Sequence, residues 1–597
     1  MKAATIVSAI VLLGQLVQGS PQTASSTSKY LKKEDPIAVQ HVLDNIGPNL
    51  GAKAGIVVAS PSTEDPNYFY TWTRDGALTM KSLVERLVAE NDVSLIPTIE
   101  NYIKVQLTLQ HIDNLSGNFS DLSGLGEPKF MVNATEFTGD WGRPQRDGQC
   151  PALRATALVA YGKYAQKHNN KKFVTESLWP VLQNDLDYVT KYWNLTGFDL
   201  WEETSGSSFF TISASHRALF EGSAFASSLD HSKSSYLTQA KNILCYLQSF
   251  WDSDANVIDA DIANGKLLRQ LDSGTTVGII HGFDPEAGCD GTTFQPCSDR
   301  ALAHHYALVN SFRNYYPVNN GKASNEAVAL GRYIHDVYYD GNPWYLTTLA
   351  AAEQLYDAIY VWNKQGRLEV TTISKSFFNQ FGSFSVGTYK SSSSTYKKII
   401  SAVSTYADGF VDMVAKYTPA DGRLHEQFSG WNGTSVSAKD LTWSYASLMT
   451  AKAARDGKVP DSWGAKKVSA PKGKCSPGPV HVVSNDIISV KFVATDSELT
   501  GFGSTSIYVV GSIPELGSWS TSAAILLQGE PDTYGVYSAT IKLPPSTSFE
   551  YKYIEKLDCP QAAVTWENYP GGGNREGKTP ASGSLTLPTA TFEHSDS

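Results

Sequence analysis

Cysteine is scarce: 6 occur in 597 residues, and none falls in a CxxC pair. That disfavours a structural zinc site and excludes a disulfide-dense scaffold, leaving a few disulfides as the use of the thiols. Charge is also thin, at 18% of residues, and has no basic excess: 49 Lys and Arg face 59 Asp and Glu, for a formal net charge of -10. Nucleic acid or an anionic membrane would need a basic patch that these totals argue against. Beyond the first twenty residues no apolar run approaches the roughly 18 residues of a membrane helix. With 47 Gly and 27 Pro in no repeating order, collagen-like and disordered classes are excluded too. What is plentiful is aromatic: 13 Trp, 30 Tyr and 24 Phe. Such rings can stack on the apolar faces of sugars, although packing a core is their commoner use.

The N-terminus has the form of a secretory leader over residues 1–20. Lys2 supplies the positive end, Thr5 to Leu16 an apolar stretch and Gln18-Gly19-Ser20 a small-residue exit, so the mature protein is expected outside the cell. Acceptor sequons at Asn114, Asn118, Asn133, Asn194 and Asn432 fit that route in a eukaryotic host. Cys289 and Cys297 close a short loop and are the first expected disulfide, while Cys150, Cys245, Cys475 and Cys559 have no such local partner.

From about Ile37 to Ala454 apolar residues recur at three- and four-residue spacing, as in Ala77–Ala89, Thr98–His111, Ala152–Gln166, Glu176–Trp193, Arg300–Phe312 and Leu346–Trp362. This predicts a large all-α body over residues 21–464, with loops too polar for a core and too aromatic for linkers. Residues 465–479 carry Lys, Ser, Pro and Gly and read as a linker. The pattern then changes to short β-rich runs at Ile488–Val493, Ser506–Gly511, Tyr537–Leu543, Phe549–Ile554 and Ala563–Glu567, predicting a small all-β sandwich over 480–597. Six basic against thirteen acidic residues from Val480 onward again exclude a nucleic-acid module.

Five stretches concentrate chemistry-bearing residues. Tyr68-Phe69-Tyr70-Thr71-Trp72-Thr73-Arg74-Asp75 sets rings beside an adjacent cation and anion; the plain alternative for Arg74-Asp75 is a surface ion pair worth under about 1 kcal/mol. Trp141-Gly142-Arg143-Pro144-Gln145-Arg146-Asp147-Gly148 is the second. In Asp199-Leu200-Trp201-Glu202-Glu203 three carboxylates crowd a Trp, which raises a pKa unless solvent or Arg relieves them; the bland reading is a solvated helix end capped by Asp199. Arg332-Tyr333-Ile334-His335-Asp336-Val337-Tyr338 leads to Trp344, and His335 has no second His or Cys at metal-binding spacing. Leu424-His425-Glu426-Gln427-Phe428 precedes Leu441-Thr442-Trp443-Ser444-Tyr445.

Together these stretches resemble the fungal glucoamylases, inverting exo-acting glycosidases on an (α/α)6 barrel, almost continuously from Tyr30 to Trp463. YFYTWTRD, GEPKF, WGRPQRDG, DLWEE, GSSFFT, FDPEA, TFQPCS, GNPW, AAAEQLYDA and DLTWSYA occur in the family's order. The tail resembles a family-20 starch-binding module through VVGSIPELGSW, SFEYKYI, VTWEN and NRE. Two departures touch the sugar-binding loops: Gln149-Cys150 looks inserted after WGRPQRDG, and Ile334-His335 replaces a more usual Pro-Glu pair.

The resemblance implies Glu202 as the general acid and Glu426 as the base, with Asp199 and Glu203 expected to hold the proton on Glu202. Inversion would follow if the two carboxyls stand roughly 6.5 to 9.5 Å apart, leaving room for a water. It places Arg74 and Asp75 on the terminal glucose and Arg332 and Glu203 near the next unit. Tyr68, Trp72, Trp141, Tyr338, Trp344 and Trp443 would be walls, and Asp199, Tyr333 and Asp336 complete the substrate-binding set. No metal or cofactor is required. In the tail Trp519 and Trp566 would stack on starch with Lys552 and Asn574 as hydrogen-bonding partners, while Tyr537, with Tyr534 and Phe502, marks a second site. Cys245 is expected to bridge to Cys475. The implied substrates are starch, amylopectin, glycogen-like α-glucans and maltooligosaccharides, cut from non-reducing ends to β-D-glucose, by a monomer with no nucleic-acid or membrane partner. The rivals are a related (α/α)6 glycosidase acting on another α-glucan and a catalytically inactive starch-binding protein.

Overall fold

The computed structural model describes residues 25–145, 149–263, 266–469, 488–496, 505–521, 523–529, 535–544, 547–557, 564–569, 572–580 and 584–593. The expected leader, residues 470–479 of the expected linker, Cys475, Phe502, Tyr534 and Cys559 lie outside them, as does the side chain of Cys150. The chain divides into two units, Met1–Gly478 and Pro479–Ser597.

Among the described residues of the first unit, twelve helices have nine residues or more: α1 Ser26–Asp44, α2 Thr73–Glu90, α3 Ile96–Gln110, α4 Gln149–Lys167, α5 Trp179–Tyr192, α6 Phe209–Ser228, α7 Ser234–Leu247, α8 Ser273–His281, α9 Asp299–Arg313, α10 Tyr345–Gln365, α11 Ser394–Tyr417 and α12 Thr442–Arg455. The even-numbered helices pack in a closed ring, α2 on α4, α4 on α6, then α8, α10, α12 and back to α2. The odd-numbered helices lie against them from outside, so the all-α class expected from the sequence is that of an (α/α)6 barrel. Sequence separates the two layers. The inner α10 is buried through Tyr345–Ala358 on all sides, as a helix surrounded by protein must be. The outer α11 buries Tyr396, Ile399, Val403, Tyr406, Phe410 and Val414, a single stripe at three- and four-residue spacing.

Inner helices begin at one end of the barrel, where their caps and preceding loops converge. Ser208 caps α6 by accepting from the Thr211 amide, and Asp272 caps α8 by accepting from Gly274. Short strand pairs stiffen these loops, which the periodicity did not predict: β1 Thr71–Trp72 with β2 Lys129–Phe130; β3 Gly197–Phe198 with β4 Ser205–Ser208, extended by β5 Asp261–Ala263 and β6 Lys266–Arg269; and β7 Gln427–Phe428 with β8 Ser435–Val436.

Among the described residues of the second unit the strands form two sheets. In one, β9 Ile488–Thr495 lies between β13 Val536–Leu543 and the pair β17 Ser584–Thr586 and β18 Ala590–Thr591, with β12 Gln528–Gly529 on the far side of β13. In the other, β14 Ser548–Leu557 pairs with β10 Thr505–Gly511, β15 Val564–Trp566 and β16 Arg575–Lys578, and β11 Ile525–Leu526 joins β10. Strand β9 alternates strictly between buried and half-buried residues. Its Val490 and Phe492 meet Ile507, Val509, Phe549 and Tyr551 in a core between the sheets.

Candidate active site

A cavity of about 530 Å³ opens at the inner-helix N-termini. Tyr68, Trp72, Arg74, Asp75, Trp141, Glu202, Glu203, Arg332, Tyr338, Trp344, Glu426 and Trp443, all singled out from the sequence, line it, together with Leu200, Trp201 and Tyr339, which were not. On one side Tyr68 packs on Trp72 at 5.2 Å and Trp72 on Trp141 at 5.7 Å between ring centres. On the other, Trp201 meets Trp344 at 5.4 Å and Trp443 at 6.4 Å. The Tyr68 and Tyr338 hydroxyls are 2.5 Å apart and link the loops across the mouth.

Glu202 sits on a tight turn, its amide donating to the Asp199 carbonyl at 2.9 Å and its φ at +67°. A non-glycine residue in that left-handed region carries strain of order 1 kcal/mol, which surrounding contacts must hold. Asp199 supplies them: its carboxylate accepts from the amides of Glu203 and Thr204 at 2.8 and 2.9 Å. Asp199 is thus the brace of a turn rather than the cap of a solvated helix, and it is buried. The Glu202 carboxyl accepts from Trp141 Nε1 at 2.8 Å and Gln145 Nε2 at 2.7 Å, with Arg74 at 3.5 Å.

Burial holds the Glu202 carboxyl above the ordinary range; Arg74, Gln145 and Trp141 oppose this, and Asp75 adds to it. The expectation that Asp199 and Glu203 keep its proton in place is therefore corrected. Both are absorbed by cations: Asp199 by Arg269 at 3.0 Å, and Glu203 by Arg332 at 2.6 Å and Arg269 at 3.3 Å. Nor is Arg74-Asp75 a surface pair. It is buried at 3.0 Å, and Arg74 also donates to the Leu200 carbonyl at 2.8 Å.

Arg332 is held in turn by Asp336, which accepts from Nε at 2.8 Å and from a terminal nitrogen at 2.6 Å, leaving the guanidinium flanked by Trp201, Tyr338 and Trp344. Tyr333 donates to Glu203 at 2.5 Å and stacks under Arg269 at 4.0 Å. Asp199, Tyr333 and Asp336 thus back the cavity lining instead of forming it. Glu426 comes from the far end of the unit, one residue before β7, and is buried; its carboxyl accepts from Ser437 Oγ and from Gln427 Nε2 at 3.3 Å. Burial pushes it up to about 7 against the pull of Ser437, Arg332, Tyr68 and Gln427. Ser437 and Arg269 carry no motif of their own, and Gln145, though inside the second stretch, shows no role there, because each acts through a carboxylate that only the fold brings to it: Ser437 on Glu426 across the β7–β8 turn, Gln145 on Glu202 and Arg269 on Asp199. Trp201, inside DLWEE, is a wall of the cavity as well as the ring its carboxylates surround.

In the second unit Trp519 and Trp566 face one another at 6.4 Å, with Trp566 39% exposed and Trp519 half-buried. Lys552 is half-buried on β14, and the exposed Asn574 donates to Glu550 at 2.7 Å. Tyr537 packs partly against the sandwich core. Cys289 and Cys297 are joined, and Cys245 is disulfide-bonded, while Cys475 lies outside the described residues. Asn118, Asn133, Asn194 and Asn432 are exposed; Asn114 is half-buried, its amide spent on the Ile112 and Gly124 carbonyls.

Residues 36–453 match the family described as glycosyl hydrolases family 15, and residues 487–589 match the starch binding domain. Glucoamylase-1 of Schizophyllum commune is 47% identical over 582 residues, covering 97% of this chain and 98% of the relative. A glucoamylase of Neurospora crassa is 48% identical over 579 residues, 91% of each chain. Among solved structures, the glycoside hydrolase family 15 glucoamylase from Hypocrea jecorina superposes with a TM-score of 0.74 at 44% identity, covering 95% of this chain and 100% of its own.

Proposed function

We propose, on the premise that the chain belongs to glycosyl hydrolases family 15, that Glu202 and Glu426 are the acid and base of an inverting hydrolysis. The activity itself is that of a starch-hydrolysing glucoamylase, a glucan 1,4-alpha-glucosidase. One observation carries the assignment: two carboxyls from loops far apart in sequence face the same cavity, both largely withdrawn from water and both raised by burial. Cleavage needs one carboxyl protonated at the leaving oxygen and another ionised to take a proton from water. Glu202 holds the proton and gives it to the glycosidic oxygen. Glu426 deprotonates the water that attacks the anomeric carbon from the opposite face, and β-D-glucose leaves.

Arg74 and Asp75 hold the hydroxyls of the terminal glucose, Glu203 and Arg332 the next unit, and the Trp and Tyr walls its apolar faces. Asp199, Asp336 and Tyr333 keep those groups in place. Catalysis is assigned to residues 21–464 and starch adhesion to 480–597, with 465–479 as linker and Trp519, Trp566, Lys552, Asn574 and Tyr537 as the starch contacts. Starch and other α-glucans are the substrates; α-1,6 bonds are cut more slowly. Secretion is inferred from residues 1–20, and no helix among the described residues is long and apolar enough to cross a membrane. The decisive experiment is Glu202→Gln, which preserves shape and removes the acid. Turnover on soluble starch falls at least about a hundredfold, and near-normal turnover refutes the assignment. Proton NMR during early turnover must show the β-anomer first; an α-anomer first means retention.

A further inference from the structure

Lys129 takes no part in the assignments above, yet it is placed beside them. It lies on β2 opposite Trp72 of β1 and is only 2% exposed. Four ring centres surround its ammonium: Trp141 at 3.5 Å, Tyr70 at 4.1 Å, Phe137 at 4.2 Å and Trp72 at 4.6 Å. The rings also pack on one another, Tyr70 on Phe137 and Phe137 on Trp141, both nearly perpendicular. Ring faces carry the negative end of the aromatic quadrupole, so this cage favours a cation that burial otherwise disfavours. Burial does push the ammonium down, to about 8, with the nearby Glu202 carboxylate opposing it and Arg143 assisting. A methionine would fill similar volume with no charge to desolvate, so packing alone does not account for a lysine here.

The same indole that faces the ammonium donates through its Nε1 to Glu202 at 2.8 Å. We propose that Lys129 is a positioning residue for hydrolysis: its ammonium fixes the Trp141 indole in the orientation that donates to Glu202 and sets a positive charge behind that carboxyl. The proposal rests on Glu202 being the acid. The groups facing this carboxyl are Arg74 and Asp75 from α2, the phenol of Tyr68 from the loop before β1, and Lys129 from β2; Arg143 stands beside Lys129, itself paired with Glu127 at 3.1 Å. A cation near a carboxyl favours its ionised form, so removing Lys129 raises the pKa of the acid.

The test is the pH profile of kcat/KM on maltose for Lys129→Met and Lys129→Arg, with melting temperatures to establish folding. For Lys129→Met the basic limb, which reports the acid, moves up by roughly half to one pH unit, and kcat falls about tenfold with KM little changed. Lys129→Arg keeps the charge and leaves the limb in place. Should Lys129→Met fail to fold, Lys129→Gln must show the same displacement. A basic limb coinciding with wild type in the uncharged variant overturns the proposal whatever happens to kcat. Failure of the underlying assignment is separate: it appears as activity retained by Glu202→Gln.

Discussion

Ser437 stands in left-handed backbone, φ +63°, just after β8, and its hydroxyl donates to the Glu426 carboxyl. Burial raises that carboxyl to about 7, and Ser437 is the largest of the influences opposing the rise. A general base acts in its ionised form, and a hydrogen bond donated to the carboxylate favours that form. Such bonds to charged groups contribute about 1.5–3 kcal/mol. The neutral carboxyl retains part of this, so roughly half is differential, or about one pH unit at about 1.4 kcal/mol per unit. Ser437→Ala should therefore ionise at higher pH, moving the acid limb of kcat/KM up by about one unit. One unit below the wild-type limb the variant is about tenfold less active, and well above it activity recovers. The assay is kcat/KM on maltose across the acid range, read as the macroscopic behaviour of the coupled pair Glu202 and Glu426. Ser437→Gly serves as companion, because it removes the same hydroxyl while relaxing the left-handed backbone. An acid limb that stays put, or that moves for Ala but not for Gly, refutes the reasoning.

Replacing both Trp519 and Trp566 by Ala should abolish most adsorption to raw starch granules while leaving hydrolysis of soluble maltooligosaccharides nearly unchanged; equal losses on both would mark the rings as structural. Inside the barrel Glu353 is raised to about 7, chiefly by burial with the Thr450 hydroxyl opposing, and Asp357 one turn along α10 is raised well above its usual range. A folded pKa above the unfolded one gives stability that is complete below about 4.5 and lost as pH rises through about 7. Melting temperature should fall over that window in wild type and fall less steeply in Glu353→Gln, and parallel curves would show that Glu353 does not carry the effect.

Helix positions were legible because their cause is local. Apolar spacing alone places Leu346–Trp362 within the observed Tyr345–Gln365. The crowded carboxylates at residues 199–203 were visible too, but what they do was not. Whether Asp199 and Glu203 repel Glu202 or are neutralised depends on Arg269 and Arg332, which lie at least 66 residues away. Lys129 was passed over for a similar reason: within GEPKF it is one cation among many, and the cage around it is assembled from Tyr70, Trp72, Phe137 and Trp141 only when β1 and β2 pair.

The seam that closes the inner ring bears on how the protein is made. Asn45 donates to the Asp440 carbonyl and to Thr442, 395 and 397 residues on, and Thr442 in turn donates to the Val58 and Ala59 carbonyls. On a chain emerging from the ribosome, Arg74 and Asp75 appear early and Trp443 only with the last helix of the first unit, so the first helix pair must wait for the twelfth helix before its inner flank is covered. Joining ends so far apart carries a large loop-closure cost and places this step late in folding. Until it is complete the pocket lacks both Glu426 and one wall. Hydrolytic competence therefore arrives as a single late event, and a chain that stops short of Leu441 has no partial enzyme to release.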